Sequence, residues 1–201
     1  MKTAIKREIA MRTASSKGVI RAADVEAFGV SPNYLYDLAR QGDLLWVGRG
    51  LFALPGYRVT EHHGLVEVAA HVPRAAFCLL SALQFHQIGT QMPQAIWFAI
   101  PHGGHVPRVS TTPIMVVRMN PASLNAGVET HVLEGVSVRI FSAAKTVADC
   151  FKFRSTVGLD VAIEALKDGL GKRKVTPGDL YRFAVIDRVW DVIRPYLEAL
   201  Q

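Results

Sequence analysis

The clearest candidates for metal chemistry are two histidines, His102 and His105, in the stretch "PHGGHVPR". A metal site needs several imidazole, thiolate or carboxylate ligands that converge on one ion. Here the two imidazoles lie on a glycine-containing loop between predicted strands, with no Cys or acid at a ligand spacing beside them. The pattern therefore favours a loop over a metal site. Because the segment ends in Arg108, it could instead follow a phosphate backbone.

A second candidate for catalysis is Lys145, which stands one helical turn before Asp149 in "AAKTVADC". Metal-dependent nucleases place two or more acids and a lysine around a divalent cation, and Glu129 and Glu134 are the other acids at hand. No PD…(D/E)xK arrangement occurs in the chain. The spacing is also that of an ion pair on one helix face, which is the simpler interpretation. A nucleic-acid-processing enzyme with a degenerate nuclease-like domain is kept as an alternative.

The other reactive residue types form no catalytic pattern. Cys78 and Cys150 lie in apolar helical patterns without an evident partner base, so we expect buried thiols and neither a nucleophile nor a disulfide. No phosphate-cradling GxxxxGK[ST] or GxGxxG motif is present, and no cofactor and no enzymatic activity are expected. The remaining histidines are interpreted as surface or hydrogen-bonded core residues: His62, His63, His71, His86 and His131.

A helix with a polar outer face is predicted within "FGVSPNYLYDLARQGDL". Ser31 is a favoured N-cap, Pro32 suits the first helical position, and Gly42 ends the helix. At 100° per residue the apolar side chains share one face, and the other face carries hydrogen-bonding groups. The inner residues are Leu35, Leu38 and Ala39; the outer ones are Asn33, Asp37 and Arg40, with Tyr36 at the border.

The neighbouring segments extend this helix into a winged helix. "RAADVEAF" predicts a short preceding helix with Ala22, Val25 and Phe28 inward, so that the pair forms a helix-turn-helix. "LLWVGRGLFAL" predicts a β-hairpin with Arg49 at the tip of a glycine-flanked wing. The N-terminal "MKTAIKREIAMRTASSKG" predicts a basic amphipathic helix with Ile5 and Ile9 inward.

Basic residues define the expected nucleic-acid contacts. The net charge of +6 and a pI near 9.5 are typical of a nucleic-acid-binding protein, although a charge run can also be a solvated helix face. The predicted DNA-binding residues are Ser31, Asn33, Tyr34, Tyr36, Arg40, Arg49, Lys2, Lys6 and Lys17. A second contact, or only a solubilising loop, is indicated by Lys172, Arg173 and Lys174, together with Arg108.

The fold class is predicted as α+β with two domains. The first, residues 1–56, is the winged helix; the hydrophobic period then changes at "PGYRVTEHHG". The second, residues 57–201, has a small mixed or antiparallel sheet with strands at 95–100, 114–119, 129–135 and 136–141. Helices are predicted at 61–71 and 77–87 and at the C-terminal end, with N-caps at Ser142 and Thr176.

The run "GVIRAADVEAFGVSPNYLYDLARQGDLLWVGRGLFALPG" resembles the N-terminal winged helix of AbiEi-type antitoxins. These are transcriptional regulators of type IV toxin–antitoxin and abortive-infection systems. "FCLLSALQFHQIG" and "VRIFSAAKTVADCFKFRSTVGLDVAIEAL" resemble later segments of the same family, in the same order. Asp37 departs from the pattern, because it puts an acid on the presumed DNA face; it could pair with Arg40 or accept from a cytosine amino group.

The resemblance implies a double role. The first domain would bind double-stranded operator DNA and repress its own operon, with a homo-oligomer on DNA as an option. The second would counteract a nucleotidyltransferase-type toxin without a stable complex. A winged-helix regulator with no toxin partner is the main alternative. The chain begins without a signal peptide and contains no apolar run of bilayer length, so we expect a cytoplasmic protein with no membrane partner.

Overall fold

The computed structural model describes residues 3–107, 109 and 112–200. Lys2 and Arg108, two of the predicted nucleic-acid contacts, lie outside these residues. The described chain forms two compact units. The first comprises the residues up to Pro73 with Val109, Thr112 and the segment His131–Val138, and the second comprises the rest. The compact unit therefore extends beyond residue 56, and a functional boundary at that point remains a prediction.

The first unit is a winged helix followed by one further helix. Its elements are α1 (Thr3–Lys17), β1 (Val19–Arg21), α2 (Ala22–Glu26), α3 (Pro32–Arg40), β2 (Leu45–Gly48), β3 (Leu51–Ala53) and α4 (His63–His71). The strands form an antiparallel sheet in the order β1-β3-β2. A helix-turn-helix that leads directly into a β-hairpin is the winged-helix arrangement. The fold predicted for the N-terminal part is therefore confirmed.

A small apolar core holds the winged helix together. The amphipathic pattern of α3 is confirmed, because Leu35 and Leu38 are buried on its inner face. Ser31 begins this helix in an extended conformation, and Pro32 occupies the first helical position as expected. The core consists of Ala10, Ala14, Ile20, Val25, Val30, Leu35, Leu38, Leu44 and Phe52.

Two expectations about helix faces are wrong. Phe28 is 57% exposed, because α2 ends before it and Val30, after the glycine turn, enters the core instead. Ile5 is 47% exposed, because Ala10 and Ala14 form the inner face of α1. Small side chains on that face allow the helix to pack closely on its neighbours, a feature that a search for large apolar residues overlooks.

The second unit is built on a mixed sheet with helices around it. Apart from the segment His131–Val138, which belongs to the first unit, its elements are β4 (Ala76–Phe77), α5 (Leu79–Phe85), β5 (Ile96–Pro101), β6 (Ile114–Met119), α6 (Pro121–Asn125), β7 (Val128–Leu133), β8 (Val136–Phe141), α7 (Ala143–Lys152), α8 (Arg154–Val157), α9 (Leu159–Gly171), α10 (Pro177–Asp187) and α11 (Trp190–Glu198). The strand order is β6-β5-β4-β8-β7. β4 is antiparallel to β5 and parallel to β8, and β5 is parallel to β6. The predicted α+β class with C-terminal helices is confirmed.

Helix α7 lies at the centre of this second unit. It packs against α5, α9 and α10, and nearly all its side chains are buried. The predicted caps are present: Ser142 Oγ accepts from the Lys145 amide at 3.4 Å, and Thr176 Oγ1 accepts from the Asp179 amide at 3.1 Å. Cys78 and Cys150 are buried and not disulfide-bonded, as expected. The residues of α7 are therefore almost entirely buried, which matters for the charged side chains among them.

Candidate nucleic-acid interface

The outer face of α3 presents the polar side chains that the sequence predicts. Ser31 and Asn33 are exposed at the start of the helix. The Arg40 side chain is 78% exposed at its end and lies 3.0 Å from Asp37. The acid on this face therefore pairs with the arginine one turn along, which is one of the two roles expected for it. The remaining exposed donors and acceptors are suited to a groove of duplex DNA.

The two tyrosines of α3 have different environments. Tyr34 is half-buried against the core, and its hydroxyl donates to the carbonyl of Thr3 at 3.2 Å. Tyr34 therefore ties the start of α1 to α3. Tyr36 is 38% exposed and packs edge-on against Phe52, with ring centroids 5.0 Å apart. Its exposed edge belongs to the outer face of α3.

Trp46 is a surface residue that the sequence analysis did not single out. It lies on β2 opposite Phe52, is 65% exposed, and lines a shallow cleft with Tyr36, Ala39 and Arg40. The position of a tryptophan close to the glycine-flanked turn could have indicated a surface role. Strand periodicity alone, however, does not show which face of the hairpin is buried against the core. An exposed aromatic ring beside a cationic side chain can pack on sugars or bases.

The wing is shaped by a glycine turn and a bulge. Gly50 has a φ of +70°, a conformation that strongly favours glycine in a tight hairpin. Arg49 is exposed between the two strands, at the predicted tip. The register of β2 against β3 shifts between Trp46 and Gly48. In the described pairing of these two strands, Val47 therefore has no opposite residue on β3. Such bulges bend a strand and redirect the residues after it.

Several cations of the N-terminal helix are engaged within the unit. Lys17 Nζ lies 2.7 Å from Asp24 Oδ1, and Arg21 also bonds this carboxylate. Burial alone would raise the pKa of Asp24, but the hydrogen bonds from Arg21 and Lys17 lower it to about 2. Arg7 makes two bonds of 2.6 Å to Asp43, in the exit from α3. These pairs fix α1 against the helix-turn-helix.

Two further cations of α1 differ in accessibility: the predicted contact Lys6, and Arg12, which was not among the predicted contacts. Lys6 is half-buried, whereas Arg12 is exposed on α1. The described cations at the surface of the winged helix therefore include Arg40 at the end of α3, Arg49 on the wing and Arg12 on α1. Salt-dependent binding needs such cations but does not require them to contact bases.

The basic loop of the second unit is exposed but partly occupied. Lys172 Nζ lies 2.7 Å from Asp168 and donates to the Gln87 carbonyl at 2.9 Å. Lys174 Nζ donates to the carbonyl of His86. Arg173, between them, is exposed and has a φ of +57°. Two of the three cations thus fasten the loop to the segment after α5, a role that their adjacency in sequence does not reveal.

Lys145 and Asp149 form the predicted ion pair, but it is completely buried. Lys145 Nζ bonds Asp149 and also lies 3.0 Å from Asp187 Oδ2. Lys152 Nζ lies 2.9 Å from Asp187, and Ser123 Oγ donates to the same carboxylate. Burial raises the pKa of Asp149 to about 8, against the nearby positive charge of Lys145. The sequence alone does not reveal that Ser123, Lys152 and Asp187 belong to this network, because they are far apart from one another in the chain.

This buried network gives the nuclease alternative no support. Glu129 is exposed, and Glu134 is hydrogen-bonded within the first unit to Tyr57, Thr60 and His63. Within residues 3–107, 109 and 112–200, no three His, Cys, Asp or Glu side chains lie together where they could hold a metal ion. In the same part of the chain, no helix combines the length and apolarity needed to cross a bilayer.

The fold and this surface define a winged-helix protein with a larger α+β unit. Residues 7–55, from α1 through the wing, match a protein family described as "Transcriptional regulator, AbiEi antitoxin". The resemblance noted in the sequence is therefore confirmed over that segment, which is similar to a family of transcriptional regulators and antitoxins.

The chain also has a structural relative. The crystal structure of the RV2827C protein from Mycobacterium tuberculosis has a similar fold, with a TM-score of 0.57 and 15% sequence identity over 91% of this chain and 71% of that one. At this identity the likeness concerns the fold alone. The chain matches no curated protein.

Proposed function

We propose that this protein is a DNA-binding transcriptional repressor of its own operon, acting through α3 and the wing. The observation that carries the proposal is the family match of residues 7–55, together with the exposed Arg40 and Arg49 on the two parts of that segment. Arg40 would reach base edges in the major groove, and Arg49 would grip phosphate or the minor groove. Ser31, Asn33, Tyr34 and Tyr36 complete the proposed contact set on α3, and Lys2, Lys6 and Lys17 that of the N-terminal helix.

A reporter gene behind the protein's own upstream DNA tests repression. Co-expressed wild-type chain should lower reporter output, and the double change Arg40→Ala with Arg49→Ala should restore it. Arg194→Ala is a matched control, since Arg194 is an exposed arginine of α11 whose guanidinium pairs with Glu198 at 3.8 Å. If the double variant is present at wild-type levels and still represses the reporter, α3 and the wing do not form the DNA interface.

We further propose that the second unit carries an antitoxin activity against a nucleotidyltransferase-type toxin encoded beside it, without a stable complex. The support is the family description, which names an antitoxin as well as a regulator. A cytoplasmic location and assembly as a homo-oligomer on the operator go with this role. The cations Arg108, Lys172, Arg173 and Lys174 are proposed as a second nucleic-acid contact.

Growth rescue separates the antitoxin from a regulator that has no toxin partner. Co-expression of the full chain should restore growth of cells arrested by the neighbouring toxin, and the variant with Arg40→Ala and Arg49→Ala should still do so. Purification of the two proteins together should yield no stable complex. The antitoxin proposal would be contradicted if the neighbouring gene encoded a protein other than a nucleotidyltransferase, or if the folded full chain did not restore growth. The protein would then be a transcriptional regulator without a toxin partner.

A further inference from the structure

The extra residue of the wing bulge is held by a histidine. Val47 stands directly before Gly48-Arg49-Gly50 and has no opposite residue on β3 in the described pairing of β2 with β3. His63 Nε2, at the start of α4, lies 3.0 Å from this carbonyl oxygen. The ring of His63 therefore contacts the backbone at the point where the strand turns into the wing.

The other ring nitrogen of His63 meets a buried carboxylate. Nδ1 lies 2.8 Å from Glu134 Oε2, and the Glu134 side chain is fully buried. Three more donors point at this carboxylate: the Tyr57 hydroxyl, the Thr60 amide at 2.6 Å and the Thr60 hydroxyl at 2.7 Å. So many donors require an ionised carboxylate that accepts from all of them.

Both neighbours of the ring are acceptors, which determines its protonation state. A neutral imidazole has one N–H and can donate to only one of them; its other nitrogen would then face an oxygen with lone pair against lone pair. The imidazolium donates to both. The contacts of His63 with Glu134 and with the Val47 carbonyl are therefore satisfied together only when the ring is doubly protonated.

The charges around the ring agree with this state. Partial burial lowers the pKa of His63, but the hydrogen bonds to Glu134 and to the Val47 carbonyl, and the charges of Glu134 and Glu67, outweigh it and raise the pKa. Glu67 is one turn along α4, and the Tyr57 ring lies 6.3 Å from the imidazole. Burial would raise the pKa of Glu134, yet its four donors hold it lowered.

The hairpin turn that carries Glu134 is itself firmly placed. Glu134 has a φ of +51°, and Gly18, between α1 and β1, packs against its backbone. A Cβ added to Gly18 would come within 2.5 Å of the Glu134 carbonyl oxygen, so only glycine allows this approach. The carboxylate is thus a fixed point of the first unit, to which His63 connects the wing.

We propose that His63, as an imidazolium between Glu134 and the Val47 carbonyl, is a positioning residue of the wing and that its protonation sets how firmly the protein holds duplex DNA. The second part of this inference depends on the proposed DNA-binding function. The contacts determine the direction of the pH dependence. Both hydrogen bonds of the His63 ring exist below its pKa in the folded chain, and one of them is lost as pH rises through that pKa. DNA affinity should fall over the same interval.

Nitrogen-15 NMR of the full chain without DNA tests the first part. We expect both ring nitrogens of His63 to be protonated at neutral pH, and the amides of Gly48 and Gly50 to shift with the same midpoint as the ring. In the Glu134→Gln variant that midpoint should move to lower pH. The proposal would be overturned if only one ring nitrogen of His63 were protonated at neutral pH. It would also be overturned if the amide shifts of Gly48 and Gly50 did not change as the ring titrates.

Fluorescence anisotropy with a labelled duplex from the protein's own upstream region tests the second part. Wild-type affinity should fall as pH rises, whereas His63→Gln should bind about 5- to 20-fold more weakly at low pH and without that step, as for a modest coupling between sites. His62→Gln, at the adjacent histidine whose ring lies 3.7 Å from Glu61, is the matched control and should keep the wild-type profile.

The outcomes distinguish the two proposals. A His63→Gln variant with wild-type affinity and wild-type pH dependence would contradict the positioning role. A wild-type chain that binds no duplex at any pH would contradict the proposed function, and the DNA-free experiment would still decide whether His63 holds the wing. If the His63→Gln variant does not fold, the Glu134→Gln variant is tested in the same anisotropy titration. The pH at which its DNA affinity falls should be lower than in the wild type.

Discussion

The carboxylate of Asp37 lies 3.0 Å from the guanidinium of Arg40, one turn apart on the exposed face of α3. The arginine for which we propose a contact with DNA is therefore already paired with an acid of its own helix. Exposed pairs of this kind are weak, about 0.3–0.5 kcal/mol, so the arginine can exchange Asp37 for a phosphate or a base edge at little cost.

Asp37→Asn should tighten binding to DNA of random sequence by roughly 3- to 10-fold at low salt, because it removes a negative charge from the interface and releases Arg40. Anisotropy titrations at two salt concentrations measure this. Glu198→Gln, which removes an exposed charge from α11 in the second unit, should have no such effect. Unchanged or weaker non-specific binding by Asp37→Asn would mean that the α3 face is not near phosphate.

Trp46 should report directly on DNA binding. It is 65% exposed, whereas Trp97 is 7% exposed and Trp190 is half-buried, so a large change in tryptophan emission on addition of duplex should come from Trp46. Trp46→Phe should abolish most of the change, and Trp46→Ala should weaken binding by about 1–3 kcal/mol, a typical value for an aromatic side chain that stacks on a base. An emission change that persists in Trp46→Phe would place the ring outside the interface.

The buried charges of the second unit should matter for stability. Lys145→Met leaves Asp149 and Asp187 without their central partner and should lower the free energy of unfolding by about 3–5 kcal/mol. The double variant with Lys145→Met and Asp149→Leu should recover part of that loss, because the buried carboxyl that has lost Lys145 is then gone, whereas Asp187 keeps Lys152 and Ser123. Urea unfolding measures both; equal stability of the single variant and the wild type would show that the network contributes nothing.

Asp24 gives the winged helix an acid-sensitive contact. Its pKa is lowered to about 2 by Arg21 and Lys17, so the stabilisation is present above the unfolded-state value near 4 and is lost as pH falls towards 2. Asp24→Asn should therefore cost about 1–2 kcal/mol at neutral pH, after allowing for solvent screening, and almost nothing near pH 2. Thermal unfolding at both pH values checks this. A cost that does not change with pH would point to lost packing instead.

The features that were predictable from sequence are those that local pattern determines. The start and periodicity of α3 and the glycine-flanked wing depend on residues close together in the chain. The strands β1 and β4 were missed, since they have only three and two residues and no period can be read from them.

The contacts that organise the candidate site were not predictable, because they join distant residues. His63 and Glu134 are 71 positions apart, and Lys145 and Asp187 are 42 apart. His63 looks like any scattered histidine in the sequence, and Glu134 like an ordinary turn residue. Only the folded chain shows that the Glu134 carboxylate accepts hydrogen bonds from Tyr57, Thr60 and His63.

The most direct test of the central claim is a titration of the full chain into duplexes from its own upstream region and into shuffled duplexes of the same composition. We predict a site that is bound at least about 10³-fold more tightly than shuffled DNA at physiological salt, with an affinity that falls steeply as salt is raised. Arg40→Ala should reduce that ratio, and Arg49→Ala should weaken binding to both duplexes alike. Equal affinity for upstream and shuffled DNA, or no binding to either, would contradict the claim that this winged helix reads an operator.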